Sequence, residues 1–219
     1  MQINTIIFDL DGTLVHTAPD LLRATNHVLG LNGRASIGLD DILDTVSFGA
    51  KSMIRRGFKV TGKAVREDEM DGLFAGFLDY YSANIAVDSQ PFDGVVAFLE
   101  KCRNGGLAAG VCTNKLEALS VRLLDALDLS KYFDAVVGPD TIGIAKPDAA
   151  PYLECVRRIG GDVSRSLMVG DSKTDVLTAR AAGVPVAGVT FGYSGETMAE
   201  LGADFIISSY RDADHILNY

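Results

Sequence analysis

Apolar residues along this chain fall into short runs separated by stretches of helical spacing. Strand-like runs occupy residues 5–8, 107–112, 135–137, 166–169, 184–189 and 204–207. Between them, apolar positions recur with helical spacing over residues 95–104, 117–127, 149–159 and 174–182. Strands alternating with helices predict an α/β fold, a Rossmann-like three-layer core whose mostly parallel sheet carries helices on both faces. The pairs Gly105-Gly106 and Gly160-Gly161, with Gly183, follow three of these helices and are expected to end them in the left-handed conformation.

Residues 16–86 break the alternation. No strand-like run occurs there, while residues 19–29, 40–58 and 66–86 have helical spacing, which predicts an inserted helical module. Thr17-Ala18-Pro19-Asp20 is a candidate start for its first helix, with Thr17 as cap, proline in the first turn and an acid at the positive helix end.

Candidate chemistry begins at the first strand. Asp9-Leu10-Asp11-Gly12-Thr13 follows Ile6-Ile7-Phe8 directly. Asp9 and Asp11, at i and i+2 on an extended segment, project to the same side and are expected to converge, because side chains alternate across a strand. Two carboxylates held together repel unless a cation or a shared proton separates them, so the pair points to a metal site. Gly12 permits the sharp departure of the backbone that follows.

Composition narrows the class. A chain of 219 residues with 47% hydrophobic content can bury a large core and hold a smaller insertion. Its longest apolar runs are strand-sized, and its first residues lack a basic-then-apolar leader, so a cytoplasmic protein without a membrane span is expected. A net charge of −9 argues against a nucleic-acid partner. Cys102, Cys112 and Cys155 lie among apolar neighbours without metal-site spacing and are expected to be reduced and buried.

Three further segments stand at or near the ends of strand-like runs: Val111-Cys112-Thr113-Asn114-Lys115, Ala145-Lys146-Pro147-Asp148, and Val169-Gly170-Asp171-Ser172-Lys173-Thr174-Asp175. With Asp9-Leu10-Asp11-Gly12-Thr13 they resemble, in order, the four motifs of the haloacid-dehalogenase-like phosphotransferases. That resemblance implies a catalytic core formed by residues 1–15 and 87–219 and an α-helical cap formed by residues 16–86. It implies that Asp9 attacks phosphorus and becomes a phosphoaspartate, and that Asp11 protonates the leaving oxygen and later deprotonates water. It assigns Thr113 and the Asn114 amide to phosphate oxygens, and Lys146 to Asp9 and the phosphoryl group in flight. Asp9, Asp11 through its backbone carbonyl, Asp171 and Asp175 match the family's Mg²⁺ site. These four acids face a single motif lysine, so the pocket without metal is expected to repel phosphate.

The opening Asp-Leu-Asp-Gly-Thr-Leu-Val, the helical insert and Thr113-Asn114-Lys115 most resemble the phosphoglycolate phosphatases and their relatives, which implies a small phosphorylated metabolite as substrate and, foremost, 2-phosphoglycolate. His16-Thr17, Phe92-Asp93-Gly94 and Ser47-Phe48-Gly49-Ala50 depart from that pattern and bear on the substrate more than on the chemistry. Lys51, Arg55 and Arg56 together read as a solvated helix face; Lys51 and Arg55, four apart, are also the cap's candidates for a substrate carboxylate. Phosphotransfer of the β-phosphoglucomutase kind is the enzymatic alternative. A binding or regulatory protein that had lost turnover would have lost a charged member of the motifs, and each is present.

Overall fold

Thr5, Ile6, Ile7 and Phe8 are all buried, as a strand covered on both faces requires. The structure, a computed structural model, describes residues 3–218. Strand β1 (Thr5–Phe8) leads through the two-residue β2 (Val15–His16) into helices α1 (Ala18–Leu31), α2 (Ala50–Val60) and α3 (Met70–Ala83). The chain returns through β3 (Gln90–Pro91) and continues as α4 (Val95–Asn104), β4 (Ala108–Cys112), α5 (Glu117–Ala126), β5 (Ala135–Val137) and the short α6 (Pro139–Ile142). Then follow α7 (Ala150–Arg158), β6 (Ser166–Gly170), α8 (Lys173–Ala182), β7 (Val186–Val189) and β8 (Phe205–Ile207).

Six strands form one parallel sheet in the order β5-β4-β1-β6-β7-β8. Alternation along β1 sends Ile6 and Phe8 toward a cluster that includes Phe98, Leu99, Leu123 and Leu124 of α4 and α5. Ile7 points the other way, toward Tyr152, Cys155, Val176 and Ala179 of α7 and α8. These are the three layers. The chain leaves β1 for β4 on one side and later returns to β6 on the other, so β1 marks the topological switch point, where open α/β sheets leave a crevice beyond their carboxyl ends.

The helices of the insert bury their own cluster, which includes Leu21, Val28, Ile54, Phe58 and Phe77 and takes in Tyr193 from the core. Its two connections run side by side as an antiparallel pair, with Val15 opposite Pro91 and His16 opposite Gln90. Asp20 ties them together. Its buried carboxylate accepts from the Asp88 and Ser89 amides, the Ser89 hydroxyl and Arg23.

Three local expectations are corrected. Thr17 does not cap α1 with its side chain; the Tyr193 hydroxyl instead accepts from the Thr17 and Ala18 amides at 2.8 and 3.1 Å. The helical stretch 40–58 is broken, because Gly49 at φ +82° turns the chain between a 3₁₀ segment (Leu43–Phe48) and α2. At the Gly105-Gly106 pair Gly105 stays right-handed and Gly106 takes the positive φ. Cys102, Cys112 and Cys155 are free and buried, and no described helix is long and apolar enough to cross a membrane.

Candidate active site

The site lies where β1, β4 and β6 end. β1 stops at Phe8, and the Asp9 amide donates to the Val169 carbonyl at 2.8 Å, which holds Asp9 against the end of β6. Gly12 then turns the chain at φ +85°. The strand thus ends before Asp11, and Asp9 and Asp11 meet different cations. Both line one cavity of about 300 Å³ between the core and the helical insert, but each has its own lysine.

Asp9 faces Lys146, whose Nζ lies 2.9 Å from Asp9 Oδ1 and donates to Asp175 Oδ1 at 2.6 Å. The approach to Asp9 lacks hydrogen-bond geometry, so Oδ1 has no hydrogen-bond partner among the described residues. The carboxylate is thus ion-paired with Lys146 on the cavity wall and not tied down by a second donor to that oxygen, the setting of an anionic nucleophile. Burial pushes the Asp9 carboxyl up to about 7 against the attraction of Lys146. Burial also opposes the charge on Lys146, but Asp175 and Asp9 outweigh it and hold the ammonium above its ordinary range.

Asp171 directly follows β6, and Asp175 sits in the first turn of α8. Ser172 caps that helix, and its amide and hydroxyl donate to Asp175 Oδ2 at 3.1 and 2.7 Å, which orients the carboxylate. Thr13 Oγ1 and the Tyr193 amide donate to Asp171 at 3.2 and 2.7 Å. Burial, then Asp175 and Asp9, hold the Asp171 carboxyl well above its usual range. Oxygens of Asp9, Asp171 and Asp175 lie within 4.8 Å of one another, all buried. Three buried carboxylates beside one buried ammonium form an all-oxygen donor set short of positive charge, which fits a hard divalent cation. The Asp11 side chain is not in this group.

Asp11 instead accepts from Lys115 Nζ at 2.9 and 2.8 Å, one contact to each oxygen. Lys115 is buried, and its ammonium lies 4.7 Å from the centroid of the Tyr81 ring on α3. Its charge is opposed by burial but held up by Asp11 and Tyr81. The motif acids thus face two buried lysines, Lys146 and Lys115, where the motif pattern implied one.

Thr113 follows β4 on the cavity wall, its amide donating to Val137 and its hydroxyl accepting from the Lys115 amide at 3.2 Å. The Asn114 side chain joins elements: Oδ1 accepts from the Lys146 amide, and Nδ2 donates to the Lys146 carbonyl and to the Ser47 carbonyl of the insert at 3.0, 3.2 and 3.0 Å. Lys51 lines the cavity, with Nζ on Asp71 at 2.8 Å. Arg55 pairs with Glu67 at 2.6 Å and is not among the cavity-lining residues, and the Arg56 Nε donates to the Asp41 carbonyl.

A model of the haloacid dehalogenase-like hydrolases matches residues 6–189, a span that includes all four motifs. The chain belongs to the haloacid dehalogenase-like hydrolases. A phosphoglycolate phosphatase of Caulobacter vibrioides is 46% identical over 208 residues, which are 95% of this chain and 88% of that protein. An N-acetylmuramic acid 6-phosphate phosphatase of Pseudomonas aeruginosa is 33% identical over 220 residues, covering 100% of this chain and 96% of that protein. The crystal structure of a predicted phosphoglycolate phosphatase from Haemophilus somnus 129PT superposes with a TM-score of 0.91 at 29% identity, covering 99% of this chain and 98% of that one.

In this haloacid dehalogenase-like hydrolase, Tyr81, Lys115 and Tyr193 stand at the site although no role was assigned to them from the sequence. Lys115 is the last residue of the second motif, but lysine is so seldom fully buried that it reads as a surface residue there. Tyr81 and Tyr193 reach the site from segments remote in the chain, and no local spacing announces them.

Proposed function

We propose that this hydrolase removes phosphate from a small phosphomonoester, foremost 2-phosphoglycolate, in the cytoplasm and with Mg²⁺ as its cofactor. Its family and its phosphatase relatives make it a phosphoric monoester hydrolase. The observation that carries the mechanism is the Asp9 carboxylate on the cavity wall, paired with the buried Lys146 and grouped with Asp171 and Asp175.

In this reading an Asp9 oxygen attacks phosphorus, the ester P–O bond breaks, and Asp11 delivers its proton to the leaving oxygen. The phosphoryl group then resides on Asp9. Asp11 takes a proton from water, the water oxygen attacks phosphorus, and Asp9 and inorganic phosphate separate. Lys146, the Thr113 hydroxyl and the Asn114 amide hold the equatorial oxygens. Asp9, Asp171, Asp175 and the Asp11 carbonyl would hold Mg²⁺, which supplies positive charge to draw a phosphate into a pocket rich in acids. Residues 1–15 and 87–219 act as the catalytic core, and residues 16–86 as a cap that closes over it and excludes bulk water. Lys51 and Arg55 are the cap cations considered for the leaving group, with Lys51 the better placed because it lines the cavity.

A panel of phosphomonoesters assayed with Mg²⁺ tests the reading. The highest kcat/KM is expected for 2-phosphoglycolate. Higher values for N-acetylmuramic acid 6-phosphate or a hexose phosphate would reassign the substrate, and no turnover of any phosphomonoester would overturn the reaction.

A further inference from the structure

The Lys115 ammonium has three donors, and Asp11 accounts for two of them. The side chain also meets Tyr81, which belongs to the cap helix α3 and lines the same cavity. The Tyr81 hydroxyl is buried, with the residue only 1% exposed, and has no hydrogen-bond partner among the described residues. An unpartnered buried hydroxyl is costly. Beside an ammonium with a donor to spare, it forms half of a site for an anion.

The position of that site relative to the chemistry decides which anion. The leaving oxygen must come within reach of Asp11, and Asp11 is in direct contact with Lys115. In 2-phosphoglycolate a single methylene separates the ester oxygen from the carboxyl carbon. With the ester oxygen at Asp11, the carboxylate therefore falls beside the ammonium that Asp11 already touches. Lys51, the other cavity-lining lysine outside the motif pocket, is half exposed and already donates to Asp71.

We propose that Lys115 from the core and Tyr81 from the cap form the subsite that recognises the carboxylate of the substrate's leaving group. The inference rests on the 2-phosphoglycolate reading and gives that specificity a physical source. Both donors must be assembled, so recognition needs the cap over the core. The subsite discriminates against neutral leaving groups of the same length by leaving the Tyr81 hydroxyl and one Lys115 donor unmatched.

The test compares 2-phosphoglycolate with 2-hydroxyethyl phosphate, which has the same two carbons and no carboxylate. For wild type, Lys115→Gln and Tyr81→Phe, the ratio of kcat/KM between the two esters is measured with Mg²⁺ present. A charge-assisted hydrogen bond corresponds to a factor of about ten to a hundred, so the ratio is expected to fall by about tenfold or more in each variant, mostly through KM for 2-phosphoglycolate. If Lys115 serves only to orient Asp11, kcat falls equally on both esters and the ratio stays at its wild-type value, which overturns the subsite and leaves the substrate assignment standing. A wild-type enzyme with no preference for 2-phosphoglycolate overturns both. Should Lys115→Gln fail to fold with Asp11 left unpaired, Tyr81→Phe, which deletes a single oxygen, decides the outcome.

Discussion

The backbone amide of Tyr193 donates to Asp171 at 2.7 Å, while the hydroxyl of the same residue accepts from the amides that open the first cap helix. One residue thus positions a carboxylate of the proposed cation site at one end and holds the start of α1 in the helical insert at the other. His16 Nδ1 lies 3.0 Å from that hydroxyl, which completes the junction.

Tyr193→Phe keeps the amide bond to Asp171 and removes the hinge acceptor. The Thr17 and Ala18 amides then lose their partner in a buried place, and the Thr17 hydroxyl already lacks one among the described residues. Each orphaned group costs about 1–3 kcal/mol. Urea denaturation is expected to show a loss of about 2 kcal/mol or more, with Mg²⁺ affinity, measured by calorimetry, within a few-fold of wild type.

Asp9→Asn is expected to fold and to lose several orders of magnitude in turnover, because the amide keeps the shape without the nucleophile. Its stability carries a second signal. Burial raises the folded-state carboxyl of Asp9 from 3.8 to about 7, so between these values the native state binds more protons than the unfolded chain. Stability contributed by Asp9 is therefore present below its unfolded pKa and is lost as pH rises toward about 7. In chelated protein, wild type should lose stability relative to Asp9→Asn across that window, by an amount on the order of a few kcal/mol. Saturating Mg²⁺ should flatten the slope. Parallel stability curves for the two chelated proteins would refute the account.

Much of this was legible in the sequence, for definite reasons. β1, β5 and α4 have the bounds their patterns predicted, because a buried parallel strand or an amphipathic helix writes its period directly into the chain. The motif residues at the ends of β1, β4 and β6 were named by their resemblance to the family's motifs, and parallel topology gathers the strand ends that carry them. What stayed hidden depends on contacts across long separations. Lys115 meets Asp11 104 positions away, and Tyr193 meets Thr17 176 positions away. No periodicity encodes such pairs. The break at Gly49 was missed because helical spacing ran through it on both sides. Asp9 and Asp11 line one cavity, but the Asp11 carboxylate pairs with Lys115 and does not join the group of Asp9, Asp171 and Asp175.

Chelation should abolish turnover and added Mg²⁺ should restore it, since Asp9, Asp171 and Asp175 are buried beside the single ammonium of Lys146. Ca²⁺ is expected to inhibit, because its larger coordination number allows bidentate carboxylates and misplaces the nucleophile. Full phosphatase activity after exhaustive chelation would sink the cation assignment.

Gly192→Ala probes the same site without touching a ligand. A Cβ at this position would stand 2.2 Å from Asp171 Cβ and 2.5 Å from Asp171 Oδ2, so the carboxylate must move. Mg²⁺ affinity should fall by about tenfold or more, in line with disturbed ligand positioning at other metal sites. Unchanged affinity in calorimetry would mean that the backbone around Gly192 shifts instead.

Asn114 supplies the last prediction. Its side chain brackets the Lys146 backbone from both sides and reaches the Ser47 carbonyl in the 3₁₀ segment before α2. The residue thus fixes the lysine that faces Asp9 and also links the core to the cap. Asn114→Ala removes both ties, whereas Asn114→Asp keeps the acceptor for the Lys146 amide but loses the two donated bonds and places a carboxylate opposite two carbonyls. If the bracket serves Lys146 alone, kcat falls and KM is little changed. If it also holds the cap shut, KM rises as well, and amides of α2 and α3 exchange faster with deuterium. Both effects are expected for Asn114→Ala, with kcat/KM reduced by about tenfold to a hundredfold, the range for one or two hydrogen bonds in a closed site. Wild-type kinetics together with wild-type exchange in the cap helices would show that Ser47 and Lys146 are held by other contacts.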